Sequence, residues 1–205
     1  MVRRTKEDAA ATRAAVLDAA LQVFSRKGYA ATRLEEVAAE AGVTRGAVYW
    51  HFAGKAELYG ALMQERMGRL VALHEEALGP AGRRAPMAAI ERLLVRSIDY
   101  LQEDPEFRAV MELNWFKTEL TPELAAGFEH KIAGVRRLVD ALAELLRAAV
   151  AAGQAAPDLD PRAAAVATAS FAQGLMAMAL MDGELLGSRA ATRRVIQTFL
   201  RALRS

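Results

Sequence analysis

The sequence predicts an all-α fold, and three observations support this prediction. Residues that favour helices, chiefly Ala, Leu, Glu and Arg, are spread along all 205 residues, whereas Pro occurs only 6 times. Apolar residues recur at spacings of three and four, as they do on one face of a helix. Gly and Pro stand between these periodic stretches, at positions that divide the chain into about nine helices.

The first helix is predicted from about Asp8 to Lys27. Arg26 and Lys27 lie in its last turn, where positive charge is favourable, and Gly28 supplies a residue that readily turns the chain out of the helix. One face of this helix carries the apolar residues Val16, Leu17, Ala20, Leu21, Val23 and Phe24.

Two short helices follow. Thr32 and Glu35 have the spacing of a capping box, which predicts a second helix over residues 33–41 that ends at Gly42. A third helix begins directly after Thr44, its predicted N-cap. Two short helices joined by a turn that contains Gly are typical of a helix-turn-helix.

The third helix has an inner and an outer face. Val48 and Phe52 are four residues apart and are expected to pack inward. Tyr49 and Trp50 are rotated from Val48 by about 100° and 200°, so the rings cannot all be buried in so small a unit. An exposed face that also carries Arg45 suits the major groove of DNA, where Arg bonds guanine edges. The alternative is a buried aromatic cluster.

The positive charge of the chain is concentrated in its first quarter, as it would be in a segment that binds nucleic acid. Residues 1–55 hold 9 Lys+Arg against 6 Asp+Glu, a balance of +3, whereas residues 56–205 hold 18 against 19, a balance of −1. Many solvated helix faces carry as much positive charge as the first segment, so charge alone does not decide.

The stretch ATRLEEVAAEAGVTRGAVYWHFAGKAELY, with Phe24 and Gly28 before it, resembles the DNA-binding domain of TetR-family transcriptional repressors, most closely the AcrR-type multidrug-efflux repressor branch. The resemblance covers residues 13–59. It implies a DNA-binding domain at residues 1–55 and a ligand-binding and dimerisation domain at residues 56–205. It also implies a homodimer that binds a pseudo-palindromic DNA operator and that a small, lipophilic effector releases.

The resemblance also implies which residues contact DNA. Arg45, Gly46 and Ala47 are expected to face bases, and Tyr49 to touch sugar-phosphate or a thymine methyl. Trp50, His51 and Lys55 are expected to bind phosphates. Some have another interpretation: Thr32 and Thr44 as caps alone, Trp50 and His51 as packing residues. The full set is Thr32, Arg33, Thr44, Arg45, Gly46, Ala47, Tyr49, Trp50, His51 and Lys55.

The remaining helices follow from the same signals. A long helix is predicted over residues 55–78, and GPAGRRAP, residues 79–86, is predicted to be a loop. Pro105, Pro122 and Pro161 each suit a first helical turn. The later helices are predicted over residues 87–103, 105–119, 122–152, 161–181 and 189–204.

Two later segments loosely resemble the efflux-repressor branch: residues 111–120 and 170–181. Met and aromatic side chains can line an adaptable pocket for lipophilic ligands, although they more often fill a core. Glu112 is a candidate partner for a cationic ligand. Phe116 and Thr118 stand where relatives tend to have histidine and cysteine, so ligand preference is not transferable. The candidate effector-binding residues are Met67, Leu70, Met111, Glu112, Trp115, Phe116 and Met176.

The last two helices are the expected dimer surface. Residues 163–179 are rich in Ala and include Ser170 and Gly174, which permit close helix packing. In a TetR-like dimer these helices pair with their copies as a four-helix bundle. A core within one subunit explains the same pattern. The apolar stripe of the final helix consists of Val195, Ile196, Phe199, Leu200 and Leu203.

Other classes of protein are disfavoured. The chain has no Cys, and its three histidines form no HExxH motif. With no glycine-rich phosphate loop or GxSxG either, we expect no enzyme, no metal site and no cofactor. No apolar run is expected to reach the roughly 18 to 20 residues needed to cross a bilayer, which predicts a cytoplasmic protein without a membrane partner. The remaining alternative is an architectural DNA-binding protein that responds to no ligand.

Overall fold

The structure, a computed structural model, describes residues 6–204. Within that range it contains ten α-helices, one 3-10 helix and no strand, which confirms the all-α prediction. Nine of the helices have at least seven residues, and α5 is a single short turn. The helices are α1 (Lys6–Ala31), α2 (Leu34–Glu40), α3 (Arg45–His51), α4 (Lys55–Leu78), α5 (Pro80–Arg84), α6 (Pro86–Glu103), α7 (Pro105–Phe116), the 3-10 helix Pro122–Leu124, α8 (Ala125–Ala151), α9 (Pro161–Met181) and α10 (Arg189–Ala202).

The start of α2 differs from the prediction. Its N-cap is Arg33, whose backbone N–H donates to the Glu36 carboxylate at 3.1 Å. Thr32 instead donates its hydroxyl to the carbonyl of Gly28 at 2.7 Å and is buried. The capping box predicted for Thr32 and Glu35 is therefore wrong by one residue, and Glu35 is left for another contact. The pairs Thr32–Glu35 and Arg33–Glu36 are both three residues apart, so the spacing of a capping box does not distinguish them.

The segment predicted as a loop over residues 79–86 contains α5 and the first residue of α6. Pro80 and Pro86 each stand at the start of a helix, where the fixed φ of Pro favours helical geometry. A Cβ at Gly82 would lie 2.1 Å from the Ala77 carbonyl oxygen, so only Gly permits this close approach of α5 to the end of α4.

The chain divides into two compact units. The N-terminal unit comprises Met1–Met67 and Glu106–Phe128, and the C-terminal unit comprises Gly68–Pro105 and Glu129–Ser205. The N-terminal unit thus extends past the domain boundary predicted at residue 55, and it includes a segment from the middle of the chain. α4 contributes its first half to one unit and its second half to the other.

The core of the N-terminal unit joins the helix-turn-helix to this middle segment. Phe24, Tyr29 and Tyr59 pack ring against ring, with centroids 5.1–5.9 Å apart. Val110 and Leu113 of α7 are buried in the same cluster. The unit therefore needs residues far beyond the helix-turn-helix to complete its apolar interior.

Lys117, which follows α7, forms hydrogen bonds to the last turns of α1 through both its main-chain carbonyl and its side-chain ammonium group. Its carbonyl accepts a hydrogen bond from the Tyr29 backbone N–H at 3.0 Å, and its Nζ donates to the Ser25 carbonyl at 2.7 Å. Gly28 has φ 77° and ψ 170°, so the regular part of α1 ends there as predicted before one further turn. Two side-chain bonds add to this attachment: Tyr59 to Thr118 at 3.0 Å and Tyr29 to Glu123 at 3.1 Å.

In the C-terminal unit, α6 packs against α9 and α10. Ile90 and Leu94 of α6 are fully buried, as is Leu142 of α8. The rings of Phe171 and Phe199 stack with centroids 4.2 Å apart. This unit also holds a polar pair, because His74 Nε2 lies 3.1 Å from the Ser97 hydroxyl.

Within the described residues, α9 is the one helix that is long and apolar enough to cross a membrane. Its mean hydropathy over an 18-residue stretch is 1.5. The expectation that no stretch reaches this length was therefore wrong. Part of α9 is buried in the C-terminal unit, including Ala165, Leu175 and Met176. The core helix of a globular protein meets the same criterion, so the finding is weak evidence for a membrane span.

Candidate nucleic-acid interface

The inner face of α3 anchors it to the core. Val48 is fully buried and Phe52, the C-cap, is 2% exposed. Thr44 is the N-cap, as predicted, and its hydroxyl accepts from the Ala47 backbone N–H at 3.2 Å. The turn before it contains Gly42 at φ 65°, a conformation that favours Gly. These contacts fix a short helix that would not be stable alone.

The outer face of α3 is open to solvent. Trp50 is 72% exposed and Tyr49 is 43% exposed, so neither ring belongs to a buried aromatic cluster. Gly46 is also exposed, and a Cβ at this position would meet only the Thr44 hydroxyl oxygen, at 3.9 Å. The subunit itself therefore does not require Gly at position 46.

Arg45 is held in place by two neighbours. Its Nη1 lies 2.9 Å from Glu35 Oε1, and its Cζ lies 5.2 Å from the centroid of the Tyr49 ring. Its Nη2 is 3.4 Å from the Tyr49 hydroxyl, a long hydrogen bond. The hydrogen bond to Tyr49 and the charge of Glu35 raise the pKa of Arg45 above its ordinary value, so it is cationic at any working pH.

The other predicted DNA-contacting residues differ in exposure: some side chains are open to solvent, and others are buried or already hydrogen-bonded within the protein. Arg33 is exposed, whereas the side chain of Thr32 is only 2% exposed and its hydroxyl is already bonded. His51 is half-buried, with its ring edge-on to Trp50 at a centroid distance of 4.5 Å. Thr32 therefore presents no side chain to a ligand at this surface.

Lys55 has a structural role that the sequence did not reveal. Its Nζ donates to the carbonyls of Tyr29 and Ala30, each at 3.0 Å, and lies 4.5 Å from the centre of the Tyr29 ring. The ammonium group therefore ties the start of α4 to the turn after Gly28. An ammonium has three N–H donors, so one remains after these two bonds.

Sequence reasoning also missed the ion pairs beside the helix-turn-helix. Lys27 pairs with Glu36, and Arg26 pairs with Glu40. The capping motif assigned Glu35 to the wrong partner, so no sequence signal pointed to its contact with Arg45. Three of the cations near this surface are thus paired with carboxylates of α2.

The predicted effector-binding residues are of two kinds. Leu70, Met111 and Met176 are buried, as residues that fill a core would be. Trp115 and Phe116 instead line an open cleft of about 430 Å³ in the N-terminal unit, together with residues 26–28, 30, 31 and 117–119.

The cationic-ligand role of Glu112 is limited by its neighbour. Its carboxylate lies 3.0 Å from Nε of Arg108, one helical turn earlier. Met67 is half-buried, so the seven candidates share no single environment. No group of acidic or histidine side chains suited to a metal occurs in residues 6–204.

The expected dimer surface is partly used within the subunit. Ile196, Leu200 and Leu203 of the predicted stripe are buried. Val195 remains 41% exposed, and on α9 Val166 and Met178 are 48% and 44% exposed. An apolar surface therefore remains on α9 and α10 after the subunit core has formed.

Comparison with known proteins agrees with this architecture. Residues 16–62 match the family model described as bacterial regulatory proteins, tetR family. Residues 85–205 match the model described as MAATS-type transcriptional repressor, C-terminal region. The two matches fall on the helix-turn-helix and on the helices after α5.

Two curated regulators are similar over most of their length. The HTH-type transcriptional regulator TtgR of Pseudomonas putida is 36% identical over 182 residues, which cover 86% of this chain and 83% of TtgR. AcrR of Shigella flexneri is 32% identical over 179 residues, covering 86% and 81%. These relatives are transcriptional regulators, which confirms the expectation that the chain is not an enzyme.

Solved structures show the same fold. NalD of Pseudomonas aeruginosa, the secondary repressor of the MexAB-OprM multidrug efflux pump, matches with a TM-score of 0.82 and 29% identity, covering 97% of this chain and 98% of NalD. The complex of SmeT with triclosan matches with a TM-score of 0.81 and 31% identity, covering 94% and 91%. The chain therefore belongs to the TetR family of bacterial transcriptional regulators.

Proposed function

We propose that the protein is a ligand-responsive transcriptional repressor whose dimer binds a pseudo-palindromic operator through α3. The observation that carries this proposal is the exposed outer face of a helix whose inner face is fixed by Val48 and Phe52. A rigid helix with exposed Arg, Gly, Tyr and Trp side by side has the shape and chemistry to enter a major groove. The repressors NalD and SmeT, with the same fold, support it.

The proposed contacts follow from exposure. Arg45 reads a base edge, Gly46 lets the backbone approach, and Ala47 and Tyr49 meet bases or sugar-phosphate. Trp50 is the most exposed of these side chains and reaches phosphate through its indole N–H.

The other proposed contacts lie at the edges of this surface. Arg33 and Thr44 stand at helix starts, where backbone N–H groups favour phosphate. Lys55 contributes the one N–H that its two carbonyl partners leave. His51 remains in the proposed set, and because its Nε2 is buried in the free protein, a phosphate contact from that atom would require the ring to move. Thr32 is left out because its side chain is buried.

The dimer is proposed to form through α9 and α10. Val166, Met178 and Val195 give this surface apolar area, and Gly174 permits close approach of two helices. The pairing of these helices with their copies would bury the exposed apolar part of α9 and place two α3 helices to read successive major grooves about 34–36 Å apart. Because the operator lies on bacterial DNA, the dimer would act in the cytoplasm.

We propose that the effector is small and lipophilic. SmeT was crystallised with triclosan, and NalD is described as the repressor of a multidrug efflux pump. The effector-binding set from the sequence stays a prediction, and the existing pair with Arg108 means that a cationic ligand at Glu112 would compete with an arginine. Effector binding would favour a state whose two α3 helices no longer match one operator.

The experiment that tests this function is selection of bound sequences from random double-stranded DNA by the full-length chain. It is repeated with triclosan and with a panel of lipophilic cations. We expect one enriched inverted repeat, and its release by at least one compound. Enrichment without release by any compound would contradict ligand response. Salt-dependent binding with no enriched sequence would instead indicate the architectural alternative, because phosphate contacts alone give that behaviour.

A further inference from the structure

We propose that Glu35 is a positioning residue for DNA recognition: it holds the guanidinium of Arg45 in the orientation that reads a base, and so increases sequence discrimination while lowering affinity for DNA in general. This inference rests on the proposed function. It concerns a residue of α2, on the neighbouring helix, that the sequence assigned only to a cap.

The geometry of the pair supports a positioning role. Glu35 Oε1 holds Nη1 of Arg45 at 2.9 Å, and the guanidinium carbon lies 5.2 Å from the centre of the Tyr49 ring. Two different partners therefore restrict a side chain that otherwise samples many rotamers. The side chain of Arg45 is still 61% exposed, so it remains accessible to an incoming base edge.

Glu35 is free for this role because its neighbours perform the other tasks of α2. Glu36 accepts the N-cap hydrogen bond and pairs with Lys27, and Glu40 pairs with Arg26. The contact of Glu35 with Arg45 joins α2 to α3 across the turn. An exposed ion pair of this kind adds little to folding stability, so stability alone does not account for its use.

The charge of Glu35 has a second effect. A carboxylate beside a DNA-facing arginine repels phosphates and occupies one edge of the guanidinium. On random DNA, where Arg45 has only phosphates to bind, this carboxylate is unfavourable. At the operator, an arginine already held toward the groove loses less conformational freedom on binding. Affinity for random DNA and discrimination between sequences should therefore change in opposite directions when the carboxylate is removed.

The test compares Glu35→Gln with Glu40→Gln. Both variants remove one negative charge from α2, but only the first removes the partner of Arg45. Affinities of the full-length protein for the selected operator and for random duplex DNA are measured by fluorescence anisotropy over a series of salt concentrations.

For Glu35→Gln we expect tighter binding to random DNA, with a salt slope steeper by nearly one unit because a released Arg45 can bind a phosphate. We expect the ratio of operator to random affinity to fall about three- to tenfold. For Glu40→Gln the ratio should stay unchanged. An unchanged or higher ratio in Glu35→Gln would overturn the inference, and so would an equal fall in Glu40→Gln.

A double-mutant cycle with Arg45→Ala separates positioning from a general structural effect. If Glu35 acts through Arg45, then Glu35→Gln should not alter the affinity ratio further when residue 45 is Ala. A further fall of the same size in that background would contradict the proposal. A wild-type chain with no sequence preference at all would overturn the proposed function, and this inference with it.

Discussion

Gly46→Ala should stabilise the free protein and weaken its binding to the operator, because the two properties depend on different sides of α3. In the free subunit, a methyl group at position 46 would meet only the Thr44 hydroxyl oxygen, at 3.9 Å, which is ordinary van der Waals contact. Replacing Gly by Ala in a helix adds up to about 1 kcal/mol of stability. For a chain of this length, that corresponds to a rise in Tm of about 2–4 °C.

The effect on DNA binding has the opposite sign. If the backbone at Gly46 lies against a base edge, the added methyl group overfills a close-packed contact, which costs about 1–3 kcal/mol. Operator affinity should then fall roughly 5- to 150-fold, since each 1.4 kcal/mol is about a factor of ten.

Gly60→Ala on α4 is the matched control. Gly60 is also helical and exposed, and a methyl group there would meet no atom within 4 Å. We expect a similar rise in Tm and unchanged operator affinity. Thermal unfolding followed by circular dichroism gives the first quantity, and anisotropy with the selected operator gives the second. Full operator affinity in Gly46→Ala would refute close approach of α3 to the bases.

Three further predictions concern other parts of the chain. Lys55→Ala should lower Tm, because two main-chain carbonyls lose their donor, and should reduce the salt slope of DNA binding by nearly one unit; an unchanged slope would exclude a phosphate contact. Burial lowers the pKa of His74 below its ordinary value of 6.5, so the folded protein should lose stability as pH falls from 6.5 toward that lowered pKa, because the unfolded chain takes up the proton first. His74→Gln should remove that part of the decline in urea titrations between pH 5.5 and 7.5. Val166→Glu on α9 should shift sedimentation toward the monomer, whereas Val71→Glu, at an equally exposed apolar residue of α4, should not; a persistent Val166→Glu dimer would contradict the proposed interface.

Features that depend on neighbours in sequence were the ones predicted well. The end of the regular part of α1 at Gly28, the turn at Gly42 and the inward packing of Val48 and Phe52 all follow from local spacing and backbone freedom. The cap of α2 was also a local question, but two overlapping motifs had the same spacing. Sequence alone could not choose between them, because the choice depends on where the Thr32 hydroxyl finds an acceptor.

Contacts between distant residues were not predictable in the same way. The attachment of Lys55 to the Tyr29 and Ala30 carbonyls joins residues 25 and 26 positions apart. The N-terminal unit also combines residues 1–67 with Glu106–Phe128, although the second half of α4 and all of α5 and α6 lie between them in the sequence. The exposed apolar surface of α9 was not distinguishable in sequence from its buried part, because both consist largely of small or apolar residues: Met178 is exposed, whereas Met176 is buried.

The double attachment of Lys117 to the end of α1 bears on how such regulators are recombined in the laboratory. A chimera that joins residues 1–55 to a foreign effector domain would lack Leu58, Leu62 and Leu113, which are buried in the same apolar core as the helix-turn-helix. It would also leave the Tyr29 amide and the Ser25 carbonyl without the Lys117 groups they bond. A chimera that keeps residues 106–128 together with residues 1–67 would retain the whole core of the N-terminal unit, and should therefore be the more stable of the two hybrid proteins.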